Sequence, residues 1–161
     1  MEDFDSIDMN ILRELQVDAS RSVQEIADAV GLSQTPCWRR MKRLEASGVI
    51  ERRVALLDPE KLGLGLTVFV SIRTSRHDDE WLDRFATEVA RIPEIVEIHR
   101  MSGDVDYLLK VMVRDVAEYD RIYKKLISVI ELSDVSSSFS MERIKQTTEI
   151  PLPEALASES P

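Results

Sequence analysis

The sequence predicts an α+β protein in two parts, a run of short helices followed by a small mixed domain of strands and helices. Three observations predict it. Up to Ile50 the apolar residues recur at helical spacing between polar breaks. From Leu66 onward two-residue alternation and helical spacing take turns. Between the two, Asp58-Pro59 with Gly63 and Gly65 interrupts both periodicities.

The first helix is expected from about Ser6 to Gln16, where Ile7, Ile11, Leu12 and Leu15 fall on one face and Asp5 or Ser6 can cap the start. After the polar break Asp18-Ala19-Ser20-Arg21, Ser22 and Glu25 have the spacing of a capping box, and Ile26, Ala27 and Val30 supply the apolar face of a second helix ending at Gly31. Ser33 can then cap a third helix with Pro36 in its first turn, where a missing N–H costs little. Two short helices joined by a tight glycine turn, the second of them basic, have the pattern of a DNA-binding helix-turn-helix.

At 100° per residue the third helix turns Cys37, Met41 and Leu44 to the core and Thr35, Trp38, Arg39 and Lys42 away from it. The outward face suits the major groove: arginine can pair bidentately with guanine, threonine can meet a base edge or a thymine methyl, and lysine supplies phosphate attraction. Gln34 can bond adenine or a phosphate, and Trp38 either joins this face or packs on the first helix. Arg40 and Arg43 flank the core face and are expected to reach phosphates or internal carboxylates more than bases. Cys37 shares a face with Met41 and Leu44, so core packing is favoured over redox sensing. Gly48 ends the helix, and residues 49–57 alternate weakly, as a short strand or wing.

In the second part, Leu66 to Thr74 alternates as a strand, and Trp81, Leu82, Phe85 and Val89 mark a helix between Asp79 and Ile92. Residues 95–101 and 105–114 form a hairpin around Gly103-Asp104. A helix follows through Val116, Tyr119, Ile122, Tyr123, Leu126, Ile127 and Ile130, and then an alternating stretch from Ser133 to Lys145. The order βαββαβ is the ferredoxin-like arrangement. In the hairpin, Gly103, Asp104, Asp106 and Tyr107 offer acids for an ammonium group and backbone N–H groups for a carboxylate, as a free amino acid requires; simple turn chemistry is the alternative. Met101 and Ser102 approach the same loop, and Ser136, Ser137 and Ser138 can add hydroxyls.

The chain has 161 residues, 43% hydrophobic, with no apolar stretch near the ~18 residues of a membrane span, and its acidic start, Met1 to Asp5, lacks the features of a secretory signal. A cytoplasmic protein without membrane association is expected. Cys37 is the single cysteine, and His77 and His99 lie far apart, so neither a metal site nor a catalytic set is expected. The net charge of −9 argues against a chain that coats nucleic acid along its whole surface. Between Ser33 and Arg53, however, six bases meet two acids, a local excess of four positive charges.

These residues resemble the Lrp/AsnC, or feast/famine, family of transcriptional regulators. The likeness rests on Ile7-Asp8 and Ile11-Leu12, Gly31-Leu32-Ser33, Arg40 with Arg43-Leu44-Glu45, Gly48-Val49-Ile50, Asp58-Pro59 with Leu62-Gly63, and Gly103 with Asp106-Tyr107. The resemblance implies an N-terminal winged helix-turn-helix for double-stranded DNA and a C-terminal ferredoxin-like domain. It also implies that sheets of the latter pair into homodimers that assemble to octamers or similar discs, with a small amino acid bound between domains near the hairpin. A nearer likeness, through Thr35-Pro36-Cys37-Trp38, Leu57 to Lys61, Gly65-Leu66-Thr67 and Asp134 to Phe139, is to the cysteine-responsive DecR-type subgroup, which implies cysteine as effector. The expected boundaries are residues 1–57 for DNA binding, 58–65 for a hinge, 66–150 for ligand sensing and oligomerisation, and 151–161 for a flexible tail. Two other readings stay open: a nucleoid-type architectural protein, and a small metabolite-binding enzyme, for which no nucleophile, base or metal set is present.

Overall fold

The computed structural model describes residues 4–76, 78–129 and 132–153, and the chain divides into two compact units. One takes the chain up to Leu56 and again from Lys145; the other takes Leu57–Ile144.

The first unit holds helices α1 (Ser6–Val17), α2 (Val23–Val30) and α3 (Gln34–Ala46). Asp5 caps α1 in a reciprocal box with Asp8, and Ser22 caps α2 in another with Glu25, so each pair satisfies amide groups that a helix start leaves open. Gly31 closes α2 with φ +72°, a left-handed turn that a side chain disfavours, and the chain enters α3 three residues later. Ser33 stands at the cap position of α3 without a side-chain capping bond. Ile11, Ile26, Ala27, Cys37 and Leu44 are wholly buried between the three helices, the site the helical spacing assigns them.

After α3 the chain differs from the expected wing: residues 51–57 form no ladder among the described residues, and Val54, Leu56 and Leu57 are exposed. The weak alternation there pairs with no described strand. The returning C-terminal segment packs on this same unit. The Ile150 N–H donates to Gln16 Oε1 at 2.8 Å, and Leu152 lies against the helical core. A largely apolar groove of about 450 Å³ runs between the end of α1, residues 49–56 and Thr148 to Leu152. Of the expected tail, Leu152 is therefore packed, and residues 154–161 lie outside the described residues.

The second unit is βαββαβ: β1 (Leu66–Arg73), α4 (Asp79–Ala90), β2 (Ile95–Arg100), β3 (Tyr107–Val113), α5 (Val116–Val129) and β4 (Asp134–Phe139). Its strands form one antiparallel sheet in the order β2-β3-β1-β4, the ferredoxin-like order. Alternation places Val68, Val70 and Ile72 of β1 and Tyr107, Leu109, Val111 and Val113 of β3 in one core with Trp81, Phe85 and Val89 of α4 and Tyr119, Ile122 and Leu126 of α5. Large side chains buried in this way each contribute about 1.5–3 kcal/mol. The same alternation turns Phe69 and Ser71 of β1, with Leu108, Lys110 and Met112 of β3, toward the opposite face, where Phe69 is exposed. Arg114 and Glu118 close the start of α5: the Arg114 N–H donates to Glu118 Oε2 at 2.7 Å, and its guanidinium reaches Oε1 at 3.0 Å.

The last strand is shorter than the alternation through Met141 predicts. Its partner β1 begins at Leu66, so pairing runs out when the Ser140 N–H reaches the Thr67 carbonyl, and Met141 and Ile144 are exposed. Ile130, assigned by spacing to the second helix of this domain, and His77 lie outside the described residues.

Candidate nucleic-acid interface and ligand hairpin

Helix α3 carries the basic stretch. Cys37 and Leu44 are wholly buried and Met41 nearly so, while Gln34, Thr35, Trp38, Arg39, Lys42 and Arg43 are exposed and Arg40 is half-buried. Trp38 is about half exposed. Cys37 touches the Met41 sulfur at 3.9 Å, and burial raises its thiol pKa, as suits a packing residue.

The cations of this region differ in how they are paired. Arg40 Nη1 donates to Asp5 at 2.7 Å and to Asp8 at 2.9 Å, and Arg43 Nη2 donates to the other Asp8 oxygen. Asp8 is wholly buried and also accepts from the Asp5 N–H at 3.1 Å. Partial burial works to raise the Asp5 pKa, but the Asp8 N–H and the Arg40 guanidinium together hold it below the usual range. Arg40 is in turn raised by its bonds to Asp5 and Asp8. Glu45 accepts from Lys42 at 2.7 Å and from Arg53 at 2.9 Å, and Lys42 above all lowers its pKa. Arg39 makes no hydrogen bond or ion pair with the described residues. Pro36, Arg39, Arg40 and Arg43 line an open recess of about 370 Å³ on the side of α3. Asp8 and Glu45 were not among the sequence-predicted site residues. The Asp5–Asp8 spacing signals only a helix cap, and nothing in it points to guanidiniums thirty-two and thirty-five residues away.

In the second unit, Met101, Ser102, Gly103 and Asp104 are exposed on the β2–β3 connection, with Gly103 at φ +121°. The Met101 N–H donates to the Asp106 carbonyl at 2.8 Å and closes the loop. Asp106 accepts the Thr74 N–H on its carboxylate at 2.8 Å. Tyr107 lies in the core, its ring 4.4 Å from that of Phe85 and 5.8 Å from that of Trp81. The three serines are not brought to the loop: β4 is separated from β3 by β1, roughly 10 Å across two strand spacings. Ser136 and Ser138 are exposed, and the Ser137 hydroxyl is hydrogen-bonded to that of Tyr119. His99 is exposed beside Glu97 at 3.3 Å. Among the described residues no group of acids, histidines or cysteines is placed to hold a metal ion, and no helix is long and apolar enough to cross a membrane.

Two family models match the chain: the AsnC-type helix-turn-helix domain over residues 4–45 and the Lrp/AsnC ligand binding domain over residues 67–150. The chain is 53% identical over 149 residues to the DNA-binding transcriptional activator DecR of Escherichia coli K12, covering 92% of this chain and 98% of that protein. It is also 53% identical over 150 residues to the glutamate uptake regulatory protein of Zymomonas mobilis, covering 93% and 92%. A transcriptional regulator of Neisseria meningitidis solved in complex with L-Met superposes with a TM-score of 0.88 at 34% identity, covering 92% of this chain and 96% of that one. A capped helix-turn-helix with a basic outward face, followed by a ferredoxin-like unit and matched over both parts, makes this chain a member of the Lrp/AsnC family of transcriptional regulators.

Proposed function

We propose that α3 reads operator DNA through Gln34, Thr35, Trp38, Arg39 and Lys42, that Arg40 and Arg43 serve the phosphate backbone, and that a small amino acid bound at the second unit alters that binding. The observation that carries the first part is the separation of faces on α3: Cys37, Met41 and Leu44 are buried while the polar residues opposite them are open. Helices of this kind place outward side chains against base edges, each good base pairing of this sort discriminating by ~1–3 kcal/mol.

For the second part, Met101, Ser102, Gly103, Asp104 and Asp106 are the proposed effector residues on the hairpin, with Tyr107 as the packed base beneath them. The L-Met complex of the Neisseria regulator supports a free amino acid as the chemical class. Cysteine is the proposed member of it, on the strength of the likeness to the DecR-type subgroup. Ser136 and Ser138 lie on the sheet face away from the helices. The proposed homodimer pairs this face between two chains, covering Phe69, and assembles further to an octamer or a similar disc.

Anisotropy binding to the DNA upstream of the chain's own gene, against a scrambled duplex and with each natural amino acid, tests the reading. Preference for the upstream duplex that cysteine changes is the expected result, and Arg39→Ala is expected to weaken it roughly 10- to 100-fold with the assembly state intact. Equal, salt-governed binding to both duplexes overturns it in favour of an architectural role. A response to glutamate instead of cysteine overturns the effector alone.

A further inference from the structure

The recess beside α3 is walled by three arginines, and two of them are held by one carboxylate from another helix. Asp8 is wholly buried, and its carboxylate accepts three hydrogen bonds, from Arg40 Nη1 at 2.9 Å, from Arg43 Nη2 and from the Asp5 N–H at 3.1 Å. Only the last of these belongs to capping α1. A guanidinium carries five N–H donors in a rigid fork, so fixing one end fixes the direction of the rest. Nε and Nη2 of Arg40, and Nε and Nη1 of Arg43, make no hydrogen bond with the described residues, and both side chains border the recess with Pro36 and Arg39. Asp5 is the looser partner, its side chain about half exposed.

We propose that Asp8 is a positioning residue for DNA binding: it orients Arg40 and Arg43 around the recess so that their remaining donors take one backbone phosphate of the operator, while Arg39 stays free for the bases. This rests on the reading of α3 as the DNA-facing helix. The cluster of Asp5, Asp8, Arg40 and Arg43 has two acids and two bases, so it adds no net charge to the face, and what it offers a phosphate is direction. Stability alone is a poor account of Asp8, because buried ion pairs gain little over well-packed apolar residues.

Direction and charge predict opposite signs, which makes the test sharp. Asp8→Asn removes a negative charge beside the DNA, and charge alone predicts tighter binding. Positioning predicts the reverse: at least about tenfold weaker binding of the full-length protein to the upstream duplex, with a salt slope shallower by about 0.9 for each phosphate no longer neutralised. Asp5→Asn removes the same charge from the displaceable partner and is expected to bind as tightly as the parent protein or more so. Binding by Asp8→Asn equal to or tighter than that of Asp5→Asn, with the parent's salt slope, overturns the proposal. Should Asp8→Asn melt below the assay temperature, Arg43→Lys decides instead. That side chain is about half exposed, so the charge stays, the fork is removed and the fold is not at stake. About a tenfold loss of affinity is expected, and unchanged affinity overturns the proposal. If the parent protein itself does not prefer the upstream duplex, the reading of α3 fails and the positioning role fails with it; an affinity for that duplex that Asp8→Asn leaves undiminished defeats the positioning role alone.

Discussion

The Asp106 carboxylate and the Thr74 backbone N–H meet at 2.8 Å, while the Asp106 N–H donates to the Ile72 carbonyl at 3.0 Å. One residue thus ties the β2–β3 hairpin to the end of β1 by both its side chain and its backbone. Thr74 is nearly buried, so removing the carboxylate leaves an amide without its partner, at a cost of about 1–3 kcal/mol. Asp106→Ala is expected to lower the thermal midpoint of the second unit and to abolish the amino-acid response of DNA binding. An unchanged response in a destabilised protein would show that Asp106 only braces the loop.

Glu45 holds both Lys42 and Arg53. Glu45→Gln loosens that hold, so more positive charge becomes available to phosphates. Binding to a scrambled duplex should tighten several-fold at low salt, with a slope steeper by about 0.9 for each further phosphate neutralised, and the ratio of specific to scrambled affinity should fall. Competition assays at two salt concentrations read both quantities; a ratio that stays put would mean that Glu45 does not restrain Lys42 on the DNA.

Glu118 has its pKa lowered from 4.5 to about 2, first by the Arg114 guanidinium and then by the Arg114 N–H. A carboxyl depressed on folding stabilises the native state above its unfolded pKa, and that contribution disappears as pH falls through the folded one. The parent protein should therefore exceed Glu118→Gln in stability at neutral pH, and the gap should close between about pH 4.5 and about pH 2. Acid unfolding curves of the two proteins supply the comparison, and a gap that persists at the acid end contradicts the assignment.

Cys37, buried against Met41 with its thiol pKa raised, is expected to resist alkylation until the first unit unfolds. Cys37→Ala should cost about 1 kcal/mol, and Cys37→Ser more, since it places a hydroxyl in an apolar core. Rapid labelling of the folded protein would restore the redox reading.

Where the sequence was legible, the reason was local periodicity. The capping box at Ser22–Glu25, the left-handed Gly31 and the three buried positions of α3 each depend on residues a few places apart. The strands of the second unit were legible for the same reason, because alternating residues face one core. What escaped was set by distance along the chain. Asp8 meets Arg40 and Arg43 across two helices, and β4 stops where its partner strand ends. The expected wing had alternation but pairs with no described strand, and alternation alone does not make a ladder.

The chain leaves the first unit at Leu56 and comes back to it at Lys145, and the returning stretch supplies Ile150 and Leu152 to the groove beside α1. The DNA reader is therefore not a cassette that can be excised at one junction. A chimaera that fuses residues 1–56 onto a foreign sensor would carry a half-finished wall, with Leu12 and Leu15 open to water. Successful transplantation should need the C-terminal segment grafted back as well, much as a clasp needs both its halves.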